Sequence, residues 1–319
     1  MSAAMLAVAV ACGGPAETSS PASPVSATNA SAPGVARLFD PQWFVLSPAE
    51  PNDWQELNRT ITADYQQFSF RPRGETEFRR RCNGCAPWTA ELTVYAPGKY
   101  DPAVMQSEQP VSVNGDNDGF FRPMDPEDAG KDSVLAWQYA DGAWATAVGM
   151  TTATADLDSL TALARALMPA ERAPISLPLS VASLPENMPL AQIDVDTSPA
   201  QDGSLDYGTH VEFAPCALEP DGAVPDCLLD SDSLSVHIWS DDPRGGPQLT
   251  TQITVGGKDG FINQTRRSAT VSVQPGLAAE FMLTGPDENT TLDQILEGVT
   301  WAPDPADEAT WEPVSAWTR

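Results

Sequence analysis

Positive charge is what this chain has least of. It carries 17 Lys and Arg against 44 Asp and Glu, a formal charge of −27, and its only lysines are Lys99, Lys131 and Lys258. Nucleic-acid recognition rests on clustered cations that release counterions from phosphate, so a field of this sign excludes an electrostatic DNA or RNA binder. Histidine is also scarce, with His210 and His237 alone. No apolar run approaches the roughly 20 residues that a membrane-spanning helix needs. The sequence has no G-x-S-x-G elbow, P-loop, dinucleotide fingerprint or H-E-x-x-H, and so none of the short signatures that mark the commonest hydrolases, nucleotide binders and zinc proteases. What it does have is 41% hydrophobic residues and 22 glycines, the ordinary globular proportion and enough to pack a core.

The amino end is uncharged and apolar from Ala3 to Ala11, continues as Cys12-Gly13-Gly14, and then runs to Gly34 in Ser, Thr, Pro, Ala and Gly almost throughout. Such a stretch buries too little apolar area to offset its ordering entropy, so a flexible tether is expected. Ala9-Val10-Ala11-Cys12, with its short hydrophobic run and small residues ahead of a cysteine, resembles the signal of bacterial lipoproteins of the high-GC Gram-positive, actinobacterial type. The resemblance implies a signal peptide over 1–11, lipidation of Cys12 as the first mature residue, a tether over 12–34, and a protein anchored at the extracytoplasmic face of the cell membrane. One acyl chain binds only marginally, whereas two or three hold firmly.

Beyond Cys12 lie Cys82, Cys85, Cys216 and Cys227. An even number in an exported chain reads as two disulfides. Of the three connectivities, the local one, Cys82 with Cys85 and Cys216 with Cys227, is favoured by proximity. Cys82-Asn83-Gly84-Cys85 also has the spacing of redox and zinc motifs. Three arginines before it and Pro87 after it describe a loop rather than the helix start that lowers a thiol pKa.

Two stretches of the chain share their order of features at a spacing of 227 − 85 = 142: Cys85, Leu92, Val94 and Tyr95 align with Cys227, Leu234, Val236 and His237. The same offset pairs Val111 and Val113 with Ile253 and Val255, and after a one-residue slip Asp118-Gly119-Phe120 meets Asp259-Gly260-Phe261. Period-2 alternation predicts half-buried strands around Leu92–Ala96 and Leu234–Ile238. Hairpins are predicted at Val134–Val148, with a type I′ turn at Asp141-Gly142, and at Thr270–Leu283 around Pro275-Gly276. Leu157, Leu160, Ala164 and Leu167 recur at helical spacing after Thr154 or Asp156 as cap, as do Leu292, Ile295, Leu296 and Val299 after Thr290 and Thr291. The fold class expected is α+β, in two tandem related modules over 35–170 and 171–319, each an antiparallel sheet with one packed helix.

Several residue sets invite a chemical reading. Alternation turns Val211 and Phe213 inward and His210, Glu212 and His237 outward, a zinc-like set if the strands pair, although surface histidines are the reading preferred. Asn114, Asp116, Asp118 and Asp125 have the oxygen spacing of a calcium loop, but Arg122 and Pro123 intrude and a hairpin turn is preferred, with calcium the one cofactor left open. Arg71, Arg73, Arg79, Arg80 and Arg81 break the acidic field and form a candidate anion site; pairing with the chain's own carboxylates is the plainer alternative. Nine tryptophans could stack on sugars, yet Trp137 and Trp144 occupy strand positions. No pair of acids among 44 can be nominated as catalytic.

The function expected is therefore a cell-surface lipoprotein acting as a non-catalytic binding or interaction module. Its partners would be the membrane, through the anchor, and an envelope polymer or protein. A lipid or glycan carrier and a hydrolase of wall or exogenous polymers are the alternatives.

Overall fold

A computed structural model describes residues 46–48, 54–73, 89–113, 118–125, 131–169, 176–196, 208–220, 223–229, 231–240, 251–286, 291–305 and 307–313. All lie within the unit Ala32–Arg319. The strands of the first half are β1 (Leu46–Pro48), β2 (Trp54–Thr62), β3 (Tyr65–Pro72), β4 (Ala90–Tyr95), β5 (Gln109–Val111), β6 (Gly119–Arg122), β7 (Ser133–Ala140), β8 (Ala143–Gly149) and β9 (Leu167–Pro169). Those of the second are β10 (Ser176–Leu177), β11 (Leu179–Val181), β12 (Leu190–Asp196), β13 (Gly208–Phe213), β14 (Ser233–Trp239), β15 (Thr251–Val255), β16 (Lys258–Asn263), β17 (Ser268–Gln274), β18 (Leu277–Thr284), β19 (Val299–Trp301) and β20 (Glu312–Pro313). The helices are α1 (Leu157–Arg165), α2 (Asp226–Leu229) and α3 (Leu292–Glu297).

Fourteen strands form one antiparallel sheet, and this corrects the expected fold class. Two separate α+β modules, each a sheet with its own packed helix, are not what forms. The architecture is mostly β, with three short helices among the described residues, the longest of nine residues. The physical reason lies in β2 and β12. Each pairs on both sides, so neither is left as an edge, and the two halves become continuous through the ladder Gln192–Thr62 to Asp196–Asn58. Unpaired edge groups are costly, and joining two edges removes both.

Outward from this seam the order is β2-β3-β4-β8-β7-β6-β5 on one side and β12-β13-β14-β18-β17-β16-β15 on the other. Ile61 and Ile193 face each other across the seam, buried and pointing to the same side. Residues on that side form the core. Leu234, Val236, Phe281, Ile295 and, from β2, Ile61 pack in one cluster. Phe68, Leu92, Leu135, Trp137 and Leu160 pack in another. Flanking ribbons pair β1 with β9, β11 with β19 and β10 with β20.

Leu157, Leu160 and Ala164 fall in α1 as their spacing predicts, but the helix ends at Arg165 and Leu167 starts β9. Val299 likewise leaves the helical stripe for β19. Asp156 is the cap of α1, accepting from the Ser159 amide at 2.9 Å and its hydroxyl at 2.6 Å. Thr154 instead donates to the Thr89 carbonyl at 2.7 Å. The Ser159 hydroxyl bond holds the Asp156 carboxyl below the usual carboxylate range. Asp156→Ala is expected to cost about 1 kcal/mol at neutral pH, read by urea unfolding. Because the folded carboxyl is depressed, that difference is present above the ordinary carboxylate pKa and shrinks as the pH falls through it. Thr291 caps α3 with a reciprocal Gln294 bond.

Both predicted hairpins form, but the Asp141-Gly142 turn is not the type I′ expected, which needs positive φ at both central residues. Gly142 and Gly276 have φ of 67° and 79°, whereas Asp141 and Pro275 stay negative. The ladder instead shifts register between Gln138 and Ala140 and between Ser272 and Gln274. A glycine in the left-handed region beside a bulge closes each hairpin.

Candidate functional site

Because side chains alternate across a strand, burying Val211, Phe213, Leu234, Val236 and Phe281 sends their neighbours to the opposite face. Pairing then fixes which of these meet. One rung crosses eight strands in register: Glu280, His237, His210, Asp194, Thr60, Gln67, Thr93 and Thr146. Its charged end, on β12, β13, β14 and β18, is where the titratable groups gather. His210, Ser235, His237, Glu280 and Met282 line a shallow pocket of about 240 Å³ there, among the described residues.

His210 is held on both nitrogens. Nδ1 lies 3.1 Å from Asp194 Oδ2, and Nε2 lies 2.6 Å from Ser235 Oγ and 3.6 Å from Glu212 Oε2. Asp194 is itself fixed, its Oδ1 accepting from Thr60 Oγ1 across the seam at 2.5 Å and its Oδ2 from Gln192 Nε2 at 2.8 Å. Burial alone would push the imidazole toward neutrality. The hydrogen bonds and charges of Asp194 and Glu212 outweigh it and raise the pKa from 6.5 to about 9. At neutral pH the ring is an imidazolium, with both N–H groups donating.

Ser235, His210 and Asp194 stand in the order of a nucleophile, base and orienting acid. Two features oppose that chemistry. An imidazolium has no lone pair with which to take the serine proton, and Asp194 together with the second carboxylate, Glu212, keeps it charged. Ser235 also lies within a strand paired on both sides, by β13 and β18, where backbone N–H groups serve the ladder rather than a developing oxyanion. The arrangement supplies fixed charges and hydrogen-bond directions without a free base.

His237 lies beside this group, its ring 6.4 Å from that of His210 and 5.1 Å from that of Trp239. Gly208 borders it, and a Cβ there would meet His237 Nε2 at an ordinary contact distance of 3.4 Å. His210, Glu212 and His237 do share a surface as alternation predicts, but His210 is already engaged. Among the described residues no group of three His, Cys, Asp or Glu is placed to hold a metal ion.

The remaining sequence candidates are dispersed. The Asp118 carboxylate accepts from the Val113 amide at 2.9 Å, which makes it a turn-forming group. The Asp125 amide donates to Lys131 O at 3.3 Å; Asn114 and Asp116 lie outside the described residues. Arg71 donates to Gln55 Oε1 at 3.1 Å and Arg73 follows the end of β3, whereas Arg79, Arg80 and Arg81 lie outside the described residues. So do Cys12, Cys82 and Cys85. Cys216 and Cys227 form the expected disulfide. It closes a connection that lies against the first half, where Tyr65 Oη donates to Leu218 O at 3.0 Å and Gln67 Nε2 to Pro220 O at 3.1 Å.

Sequence reasoning reached His210, Glu212 and His237 but missed Asp194, Ser235 and Glu280. For Asp194 the signal was present, since an inward Ile193 turns it outward. Nothing in the sequence states that β12 neighbours β13, or that β18 neighbours β14.

No family model matches the chain, and no curated protein matches it. No helix among the described residues is long and apolar enough to cross a membrane.

Proposed function

We propose that the protein is a non-catalytic binding module whose pocket-bearing sheet face meets the ligand, carried as a lipoprotein at the extracytoplasmic face of the cell membrane. The observation that carries the binding reading is His210, fixed in the wall of the pocket with Nδ1 on Asp194, Nε2 on Ser235 and the Glu212 carboxylate 3.6 Å away. Such a group lends the pocket wall a fixed charge and no base for turnover, its two N–H groups being taken by Asp194 and Ser235. Supporting the address are the lipobox-like Ala9-Val10-Ala11-Cys12, the 12–34 stretch, and the Cys216–Cys227 disulfide, which suits an oxidising compartment. On this reading residues 1–11 are removed, Cys12 is acylated, and 35–170 and 171–319 form the halves of the exposed body. An envelope polymer or protein is the partner.

The Ser235–His210–Asp194 geometry favours a hydrolase as the second reading. Turnover of chromogenic esters and amides, followed from pH 6 to 10 for the wild type and Ser235→Ala, decides between them. The binding reading expects no difference between the two proteins at any pH. Turnover that rises as His210 loses its proton and vanishes in Ser235→Ala contradicts it.

A further inference from the structure

The first half of the sheet shows how the corresponding place in that half is filled. Matching the buried pairs Val94–Ala145 and Val236–Phe281 brings the next outward residues, Tyr95 and Trp144, into correspondence with His237 and Glu280. In the first half these positions are covered by the chain's own Tyr100, whose ring lies 5.0 Å from Tyr95 and 6.0 Å from Trp144, with Phe120 stacked on Trp144 at 6.2 Å. Burial there pushes the Tyr100 hydroxyl up to about 12. A planar ring resting on an aromatic floor therefore suits this part of the scaffold.

The second half keeps the floor and changes its charge. His237 replaces Tyr95 as the ring, and Glu280 replaces Trp144. Glu280 makes no hydrogen bond or ion pair with the described residues. Met282, 44% exposed, borders the same pocket with Ser235. Residues 241–250, which follow β14 as Tyr100 follows β4, contain no aromatic residue. What fits is a flat group that stacks on an imidazole, lays an aliphatic stem along a thioether, and carries positive charge to a carboxylate. The charge of His210 in the same pocket wall is offset by Asp194 and Glu212, so Glu280 leaves the pocket negative and favours a cation. A guanidinium meets all these conditions: it is planar, always charged, stacks on rings and bonds a carboxylate in a fork, whereas an ammonium is a compact, strongly hydrated point charge.

We propose that the pocket over His237 and Glu280 is a guanidinium site that binds an arginine side chain. This rests on the reading of the face as a binding surface and names its ligand. The guanidinium is that of an arginine-bearing peptide partner.

The test is a titration of the full chain with the amides of N-acetyl-arginine, N-acetyl-lysine and N-acetyl-citrulline, and with a neutral N-acetylglucosamine oligomer. The ring proton signals of His237 are read in the wild type, Glu280→Gln and Arg244→Ala. Saturable shifts with the arginine amide are expected, weaker with lysine and absent with citrulline. Affinity is expected to fall about tenfold in Glu280→Gln, the loss of one charge-assisted pair at a half-exposed site. Saturable binding in the wild type supports the proposal, and binding only in Arg244→Ala, where the chain's own arginine is removed, overturns the external partner. Equal responses to arginine and citrulline, an unchanged affinity in Glu280→Gln, or no response in either the wild type or Arg244→Ala overturns it. A response to the sugar alone overturns the guanidinium and leaves the binding face standing, while Ser235-dependent turnover would overturn that face instead.

Discussion

Phe281→Ala is expected to lower the free energy of unfolding by about 3–5 kcal/mol, the range for truncating a fully buried aromatic ring. Phe281 is 0% exposed, faces Ala269 across the β17–β18 ladder and meets Trp301 edge-on at 6.0 Å. The first half solves the same space the other way round. There the paired residues are Trp137 and Ala145, a large side chain on the outer strand opposite a small one. Each half therefore spends one bulky ring per pair, on opposite strands. Ala269→Trp alone is expected to overpack the second core and destabilise by about 1–3 kcal/mol. Combined with Phe281→Ala it reproduces the Trp137–Ala145 arrangement. The double variant is expected to be more stable than the sum of the single losses by at least 1 kcal/mol, a coupling typical of residues in contact. Urea unfolding of the four proteins measures this, and strict additivity would show that the two pairs do not fill equivalent space.

His210→Ala is expected to cost about 2–3 kcal/mol at pH 7, because it leaves Asp194 and Glu212 facing each other without the cation between them. Their side chains are only 18% and 19% exposed, so water replaces the lost partner poorly. The wild type also carries a pH signature with a defined sign. Its folded pKa of about 9 lies above the ordinary 6.5, so the histidine's contribution is complete below pH 6.5 and is lost as the pH rises through 9. The His210 side chain is 34% exposed, and after discounting for screening the loss across that window is roughly 1–2 kcal/mol. Chemical unfolding at pH 6, 7.5 and 9.5 is expected to show this decline in the wild type and a flatter profile in His210→Ala. A wild-type stability that rises between pH 6.5 and 9 would contradict the assignment.

Local features were the legible part of the sequence. Alternation placed Leu234, Val236 and Ile238 inward and His237 outward, and the helical spacing of Leu292, Ile295 and Leu296 marked α3. Leu92 and Leu234, 142 residues apart, do take like positions in β4 and β14. What failed was the step from strands to sheets. The exposed side of β2 reads like that of any half-buried strand, and nothing in Asn58–Thr62 announces that its partner is Asp196–Gln192, 130 to 138 residues away. Missing that one ladder turned a single sheet into two modules. It also hid the site, because Asp194 reaches His210 from β12 and Thr60 reaches Asp194 from β2. The type I′ turn expected at Asp141-Gly142 failed for a local reason: Asp-Gly allows a bulged closure as readily, and the register of the flanking core residues decided between them.

The account turns on the charge of one imidazole. With two histidines in the chain, a ring-proton NMR titration from pH 5 to 11, assigned with a His237→Gln variant, follows His210 without ambiguity. A midpoint near 9 that falls toward 6.5 when Glu212 is changed to Gln is the result expected. A midpoint at or below 6.5 in the wild type would leave a neutral ring beside Ser235 at physiological pH, restore the nucleophile–base reading, and contradict the account.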